Sequence, residues 1–80
     1  MMRVLLFARA RDLAGGASIE VALPAGVTVG ELRRRLAEQH PRLAGLVDRC
    51  AIAVNNEYAE DAAPLPTNAE VALVPPVSGG

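Results

Sequence analysis

Lysine is absent from this sequence, and all eight of its basic residues are arginines. With no lysine amine to accept an isopeptide bond, one copy cannot be linked to another through such a side chain. Tryptophan is absent as well, and the aromatic residues reduce to Phe7 and Tyr58. Net charge is −1, and the densest basic stretch is Arg33-Arg34-Arg35. Nucleic-acid binding calls for a basic surface and stacking rings, so no nucleic-acid partner is expected. A single cysteine, Cys50, leaves no internal disulfide and fits a reducing cytoplasm. No apolar run approaches about 18 residues, so no membrane span is expected. The opening stretch from Met1 to Ala8 is apolar but too short for a secretory core, and charge returns at Arg9, Arg11 and Asp12. No signal peptide is expected. His40 is the only histidine and has no clustered ligands, so no metal site is expected. No phosphate-cradling glycine loop occurs, and no bound cofactor is expected.

What is present is globular. Hydrophobic residues make up 51% of the 80 and charged residues 21%, a balance that fits one small domain and excludes disorder. Val4-Leu5-Leu6-Phe7 is apolar on both alternating sets, which predicts a central strand over Arg3 to Ala8. Arg9 to Ala17, broken by Gly15-Gly16, reads as a turn region. Ser18 to Leu23 alternates, with Ile19, Val21 and Leu23 on one side, and predicts a half-buried strand in a hairpin with the first. Thr28 followed by Glu31 is a capping box, and Val29, Leu32 and Leu36 form the apolar stripe of a helix. Glu31 with Arg35, and Arg34 with Glu38, read as surface pairs, and the arginine triplet as a solvated face. Pro41 ends the helix near His40. A short helical segment to Asp48 puts Leu43, Leu46 and Val47 inward. Ala51 to Asn55 is a strand, Asn55-Asn56 a turn, and Glu57 to Glu60 a short edge strand. A loop over Pro64 to Asn68 leads to the last strand, Glu70 to Val74.

Strand, strand, helix, strand, short strand, strand predicts an α+β layer with one main helix on one face of a mixed sheet of four to five strands. The order resembles the β-grasp fold of ubiquitin-like proteins. It divides the chain into a domain over residues 1–74 and an extended, flexible tail over 75–80.

The tail carries the chemistry. Pro75 and Pro76 cannot donate to a sheet ladder, so the strand ends there and the chain leaves extended. Six residues at about 3.1 Å each reach roughly 19 Å. Val77 can anchor in a partner groove, while Ser78, Gly79 and Gly80 offer little bulk to obstruct a channel. Glycine lets backbone approach a catalytic surface closely. A carboxylate on such a tether can be adenylated and then converted by a sulfur donor to a thiocarboxylate. Gly80 is thus the candidate reactive residue and Gly79 the residue giving access. Cys50, next to the apolar strand, reads as an inert buried thiol. Asp48, Glu57, Glu60 and Asp61 read as loop carboxylates with no reason to pair for acid/base work.

Pro75-Pro76-Val77-Ser78-Gly79-Gly80 closely resembles the C-terminus of the molybdopterin synthase small-subunit family (MoaD). The opening Val4 to Asp12, Thr28-Val29-Gly30-Glu31-Leu32, Val54-Asn55 with Glu57-Tyr58, and the approach from Pro64-Leu65 to Glu70-Val71 resemble it too. Thr67-Asn68-Ala69 departs from the acidic residue and glycine usual there. The resemblance implies an ATP-using, E1-like adenylyltransferase (MoeB-like) that activates Gly80, and a sulfur donor protein that makes the thiocarboxylate. It also implies a large synthase subunit (MoaE-like) that holds the catalytic residues and receives the tail in a heterotetramer. Two deliveries there turn cyclic pyranopterin monophosphate into molybdopterin. The chain itself is then a non-catalytic, sulfur-donating subunit, and ATP is used by its partner.

Strand parity adds a partner face. If Val4, Leu6, Val71 and Leu73 meet the helix, Leu5, Phe7, Ala72 and Val74 face outward with Tyr58, and an exposed apolar patch usually marks an interface. Phe7, Tyr58 and Val74 are its expected centre. Parallel first and last strands bring Arg9 and Arg11 near the root of the tail, where they can meet acidic groups on a partner. Other readings stay open: a thiamine-pathway or cysteine-pathway sulfur carrier, a ubiquitin-like protein modifier, or an interaction module with an inert tail.

Overall fold

The computed structural model describes residues 2–76. Strand β1 is Met2–Leu6 and helix α1 Ala8–Ala14, followed by β2 at Ser18–Val21 and α2 at Val29–Gln39. A 3-10 turn at Pro41–Leu43 leads into α3 at Ala44–Val47, and β3 (Ala51–Val54), β4 (Glu57–Ala59) and β5 (Val71–Val74) complete the chain. The five strands form one sheet in the order β2-β1-β5-β3-β4. β1 and β5 are parallel neighbours at its centre and the other pairs are antiparallel. This is the expected β-grasp layer, with five strands.

Pleat parity decides what is buried. Val4, Leu6, Val71 and Leu73 point to the helices, where Val29, Leu32 and Leu36 of α2 and Leu43 and Val47 beyond it complete a dry core with Val21 and Ile52. Thr28 caps α2 as expected, its Oγ1 accepting the Glu31 N–H at 3.3 Å. The reciprocal half of the capping box is replaced. The Glu31 carboxylate accepts from Arg34 at 2.6 Å and Arg35 at 2.7 Å, and the loop after β4 serves the helix start instead. Ala63 and Asp61 carbonyls accept the Val29 and Gly30 N–H groups at 3.0 and 2.9 Å. That loop lies so close that a Cβ on Gly30 would stand 3.3 Å from both Cβ and O of Asp61. Asn55 and Asn56 take positive φ values of 52° and 69° in the tight β3–β4 turn, which suits asparagine.

Two expectations change. The stretch read as a turn after β1 contains α1, because Ala, Arg and Leu are good helix formers. Gly15 is not a break inside a loop. It closes the helix, in the left-handed region at φ 76°, with its N–H and that of Gly16 donating to the Arg11 carbonyl. β1 and β2 therefore pair antiparallel, but across a helix rather than a tight hairpin. Second, Arg33 is not part of a solvated face. Its Nη1 donates to the carbonyls of Val47 and, at 2.8 Å, of Cys50, while Nη2 meets Asp61 at 3.1 Å. One guanidinium thus ties α2 to the end of α3 and to the loop after β4.

Candidate functional site

The face of the sheet turned away from the helices is apolar. Register aligns Leu5 with Ala72, Ala72 with Ala53, and Ala53 with Tyr58, giving one row across four strands. A second row pairs Val74 with Ala51, and Phe7 follows Leu6 at the level of Val74. Alanines fill the middle strands, while Leu5, Phe7 and Tyr58 rise at the sides. The result is a trough lined by Leu5, Phe7, Ala53, Tyr58, Ala72 and Val74, with Asn56 and Glu70 at its rim. Phe7 is 49% exposed and Tyr58 75%, a large apolar investment for a chain with two aromatic rings.

Phe7 owes its exposure to the next residue. Ala8 takes φ 51°, so the chain turns from strand into α1 within one residue and the helix does not cover the ring. A left-handed alanine costs about 1 kcal/mol or more. The rim is set by Asn55, whose Oδ1 accepts the Glu70 N–H at 2.9 Å while its own N–H donates to the Glu70 carbonyl at 2.8 Å.

The expected site residues fall as follows. Phe7, Tyr58 and Val74 line the one trough. Pro75, half-buried, and Pro76, exposed, continue β5 past the edge of this face. Arg9 and Arg11 are exposed on the first turns of α1, just beyond the β1 end that lies beside the end of β5. Val77, Ser78, Gly79 and Gly80 lie outside the described residues. Glu70 and Asn56 were not singled out from the sequence, although Glu70 shares the outward parity of Ala72 and Val74. Cys50 is buried, and burial pushes its thiol up in pKa against the opposing charge of Arg33. A thiol held protonated is a poor nucleophile. Among the described residues no group of three or more His, Cys, Asp or Glu side chains could hold a metal ion. No helix among them is long and apolar enough to cross a membrane.

A grasp-type sheet whose central strand runs out beside an open apolar trough defines a ubiquitin-like domain. The chain belongs to the ThiS family, which it matches over residues 4–80. It is 39% identical over 82 residues to the molybdopterin synthase sulfur carrier subunit of Escherichia coli strain K12, covering 100% of both chains. It is 37% identical over 79 residues to the subunit of the same name from Arabidopsis thaliana, covering 99% of this chain and 82% of the other. Among solved structures it resembles SAMP1 of Haloferax volcanii with a TM-score of 0.83 at 31% identity, covering 99% of this chain and 98% of that one.

Proposed function

We propose that this chain is the sulfur-carrying small subunit of a molybdopterin synthase, with Gly80 as the reactive residue. The observation that carries the reading is the family match that runs beyond the described residues to residue 80, taking in Gly79-Gly80. The names of the Escherichia coli and Arabidopsis relatives support it.

In this reading a carboxylate oxygen of Gly80 attacks the α-phosphorus of ATP on an E1-like adenylyltransferase, and pyrophosphate leaves. A sulfur donor protein delivers sulfide-level sulfur to the acyl carbon, and AMP departs with the original oxygen. The thiocarboxylate enters the large synthase subunit, which supplies the acid and base groups, and two such deliveries build the dithiolene of molybdopterin. Pro75 and Pro76 stiffen the start of the 75–80 tail, because a fixed φ reduces the conformations lost on threading a channel. Gly79 keeps side-chain bulk away from the reacting carbon. The trough centred on Phe7, Tyr58 and Val74 docks the partners, and Arg9 and Arg11 meet their acidic groups beside the entry. The setting is the cytoplasm, where Cys50 stays reduced.

The test is the intact mass of the protein after incubation with the adenylyltransferase, ATP and the sulfur donor. One terminal oxygen should be exchanged for sulfur, and deletion of Gly80 should abolish the exchange while the fold persists. An unmodified carboxylate under those conditions overturns the reading. A second reading, a protein modifier, is favoured by the similarity to SAMP1, also described as small archaeal modifier protein 1. Adducts that survive denaturing electrophoresis under activating conditions would support it.

A further inference from the structure

The sheet has two outer strands, and one of them is covered by side chains. β2 pairs only with β1. The Ala17 carbonyl accepts the Leu6 N–H at 2.8 Å, so by alternation Ile19 and Val21 direct their backbone groups to β1. Ser18, Glu20 and the following Ala22 direct theirs outward, where a bare edge is a template for another strand. Here the end of α2 reaches across. Gln39 Oε1 accepts the Ala22 N–H at 2.9 Å and Gln39 Nε2 donates to the Ala22 carbonyl at 3.0 Å. His40 Nε2 lies 2.9 Å from the Glu20 carbonyl, donating to it. The glutamine amide binds Ala22 through both its oxygen and its nitrogen, as a neighbouring peptide unit would.

The strand most able to compete for these groups is β2 of a second copy. An antiparallel pair with its two-fold axis at Glu20 would set Glu20 against Glu20, like charges directly opposed, which is unfavourable. With the axis at Val21, Glu20 stands opposite Ala22 and no like charges meet. That register uses four groups per copy, the N–H and C=O of Glu20 and of Ala22. Gln39 and His40 hold three of them. At the other side of the sheet β4 has three residues, and the Glu60 carbonyl just past it is taken by the Ala63 N–H at 3.0 Å, leaving little edge to pair.

We propose that Gln39 and His40 form a cover over a strand-pairing edge, and that the partner they exclude is a second copy of this chain joined β2 to β2. The cover leaves the trough as the face open to other proteins.

Two measurements test this. In the wild-type protein the Ala22 amide should exchange with solvent at least about tenfold more slowly than in an unstructured chain, although it lies on an outer strand. In Gln39→Ala/His40→Ala that protection should vanish in dilute solution, and sedimentation should show dimers that grow with concentration. Adding Glu20→Pro should restore the monomer. It removes the one donor of that register that the cover does not hold, at a position where an outer strand tolerates proline. Should the double variant lose its circular-dichroism signature, Gln39→Glu alone carries the test. It keeps the acceptor for the Ala22 N–H but loses the donor to the Ala22 carbonyl, and weaker dimerisation is expected. Unprotected Ala22 in the wild type overturns the proposal. So does a folded cover variant that stays monomeric, or one that associates despite Glu20→Pro.

Discussion

On β1 and β5 alternate residues lead different lives. Val4, Leu6, Val71 and Leu73 are fully or almost fully buried under the helices, while Leu5, Phe7, Ala72 and Val74 look out from the other face. Both sets are apolar, so hydrophobicity alone does not separate them. What separates them is cover: among the described residues three α-helices lie on one face and none on the other. An inward residue gains its burial within the chain, whereas Leu5, Ala72 and Val74 stay only partly buried and Phe7 stays exposed. If the outer face docks a partner as proposed, the two faces divide stability from docking residue by residue.

The sharpest way to break this comparison is to truncate one residue from each set on the same strand. Leu73→Ala should cost about 2–5 kcal/mol in urea unfolding, a large share of the roughly 5–15 kcal/mol available to a domain. Val74→Ala should cost less than about 1 kcal/mol. Equal losses would mean that the outer face belongs to the core. Arg33→Ala comes next. It removes the Arg33 donor from the Cys50 carbonyl and from the Val47 carbonyl, which keeps the Cys50 N–H at 3.2 Å, and should cost about 1–3 kcal/mol. Asp61→Asn, which removes only the ion pair with an exposed carboxylate, should cost less than about 1 kcal/mol.

Phe7→Ala should weaken binding to the large synthase subunit by about tenfold or more, near 1.4 kcal/mol, as read by calorimetry. Stability should move by about 1 kcal/mol or less. A sharp loss of stability with unchanged binding would reverse the assignment of the two faces. Thr28→Ala should cost about 1 kcal/mol by loss of the α2 cap, with no effect on binding.

The smallest effect is pH-dependent. Hydrogen bonds from Arg35 and Arg34 hold the Glu31 carboxyl below its usual pKa. A lowered folded-state pKa means that the contribution is present at neutral pH and fades as pH falls through that value. Glu31→Gln should remove this part of the acid dependence in pH-resolved unfolding, and salt should shrink it in the wild type.

Much of the fold could be read from short-range patterns. Alternation placed β5 and the parity of β1, the apolar stripe with Thr28 placed α2, and Asn55-Asn56 placed the β3–β4 turn. The trough followed from the same parity once β1 and β5 were taken as neighbours. Helix α1 was hidden because it buries one residue, Ala10, and has no stripe to detect. The glycine pair looked like a break when it was a cap. Arg33 was misread for a different reason. Its partners are backbone carbonyls 14 and 17 residues away and an aspartate 28 residues away, and no local pattern encodes such contacts. The Gln39–His40 cover escaped notice likewise, since it spans 17 and 20 residues to a strand whose own sequence gives no hint of it.

The parallel pairing of β1 with β5 has a practical side. Because the two strands run the same way, Met2 starts at the end of the sheet away from Pro75, with roughly 13 Å of strand between Met2 and Leu6. A fluorophore, affinity handle or surface anchor placed ahead of Met2 therefore reports from the far pole of the molecule. Immobilised there, the protein leaves the end of β5 clear of the support, and binding kinetics measured this way for the proposed partners should match those of the untethered chain.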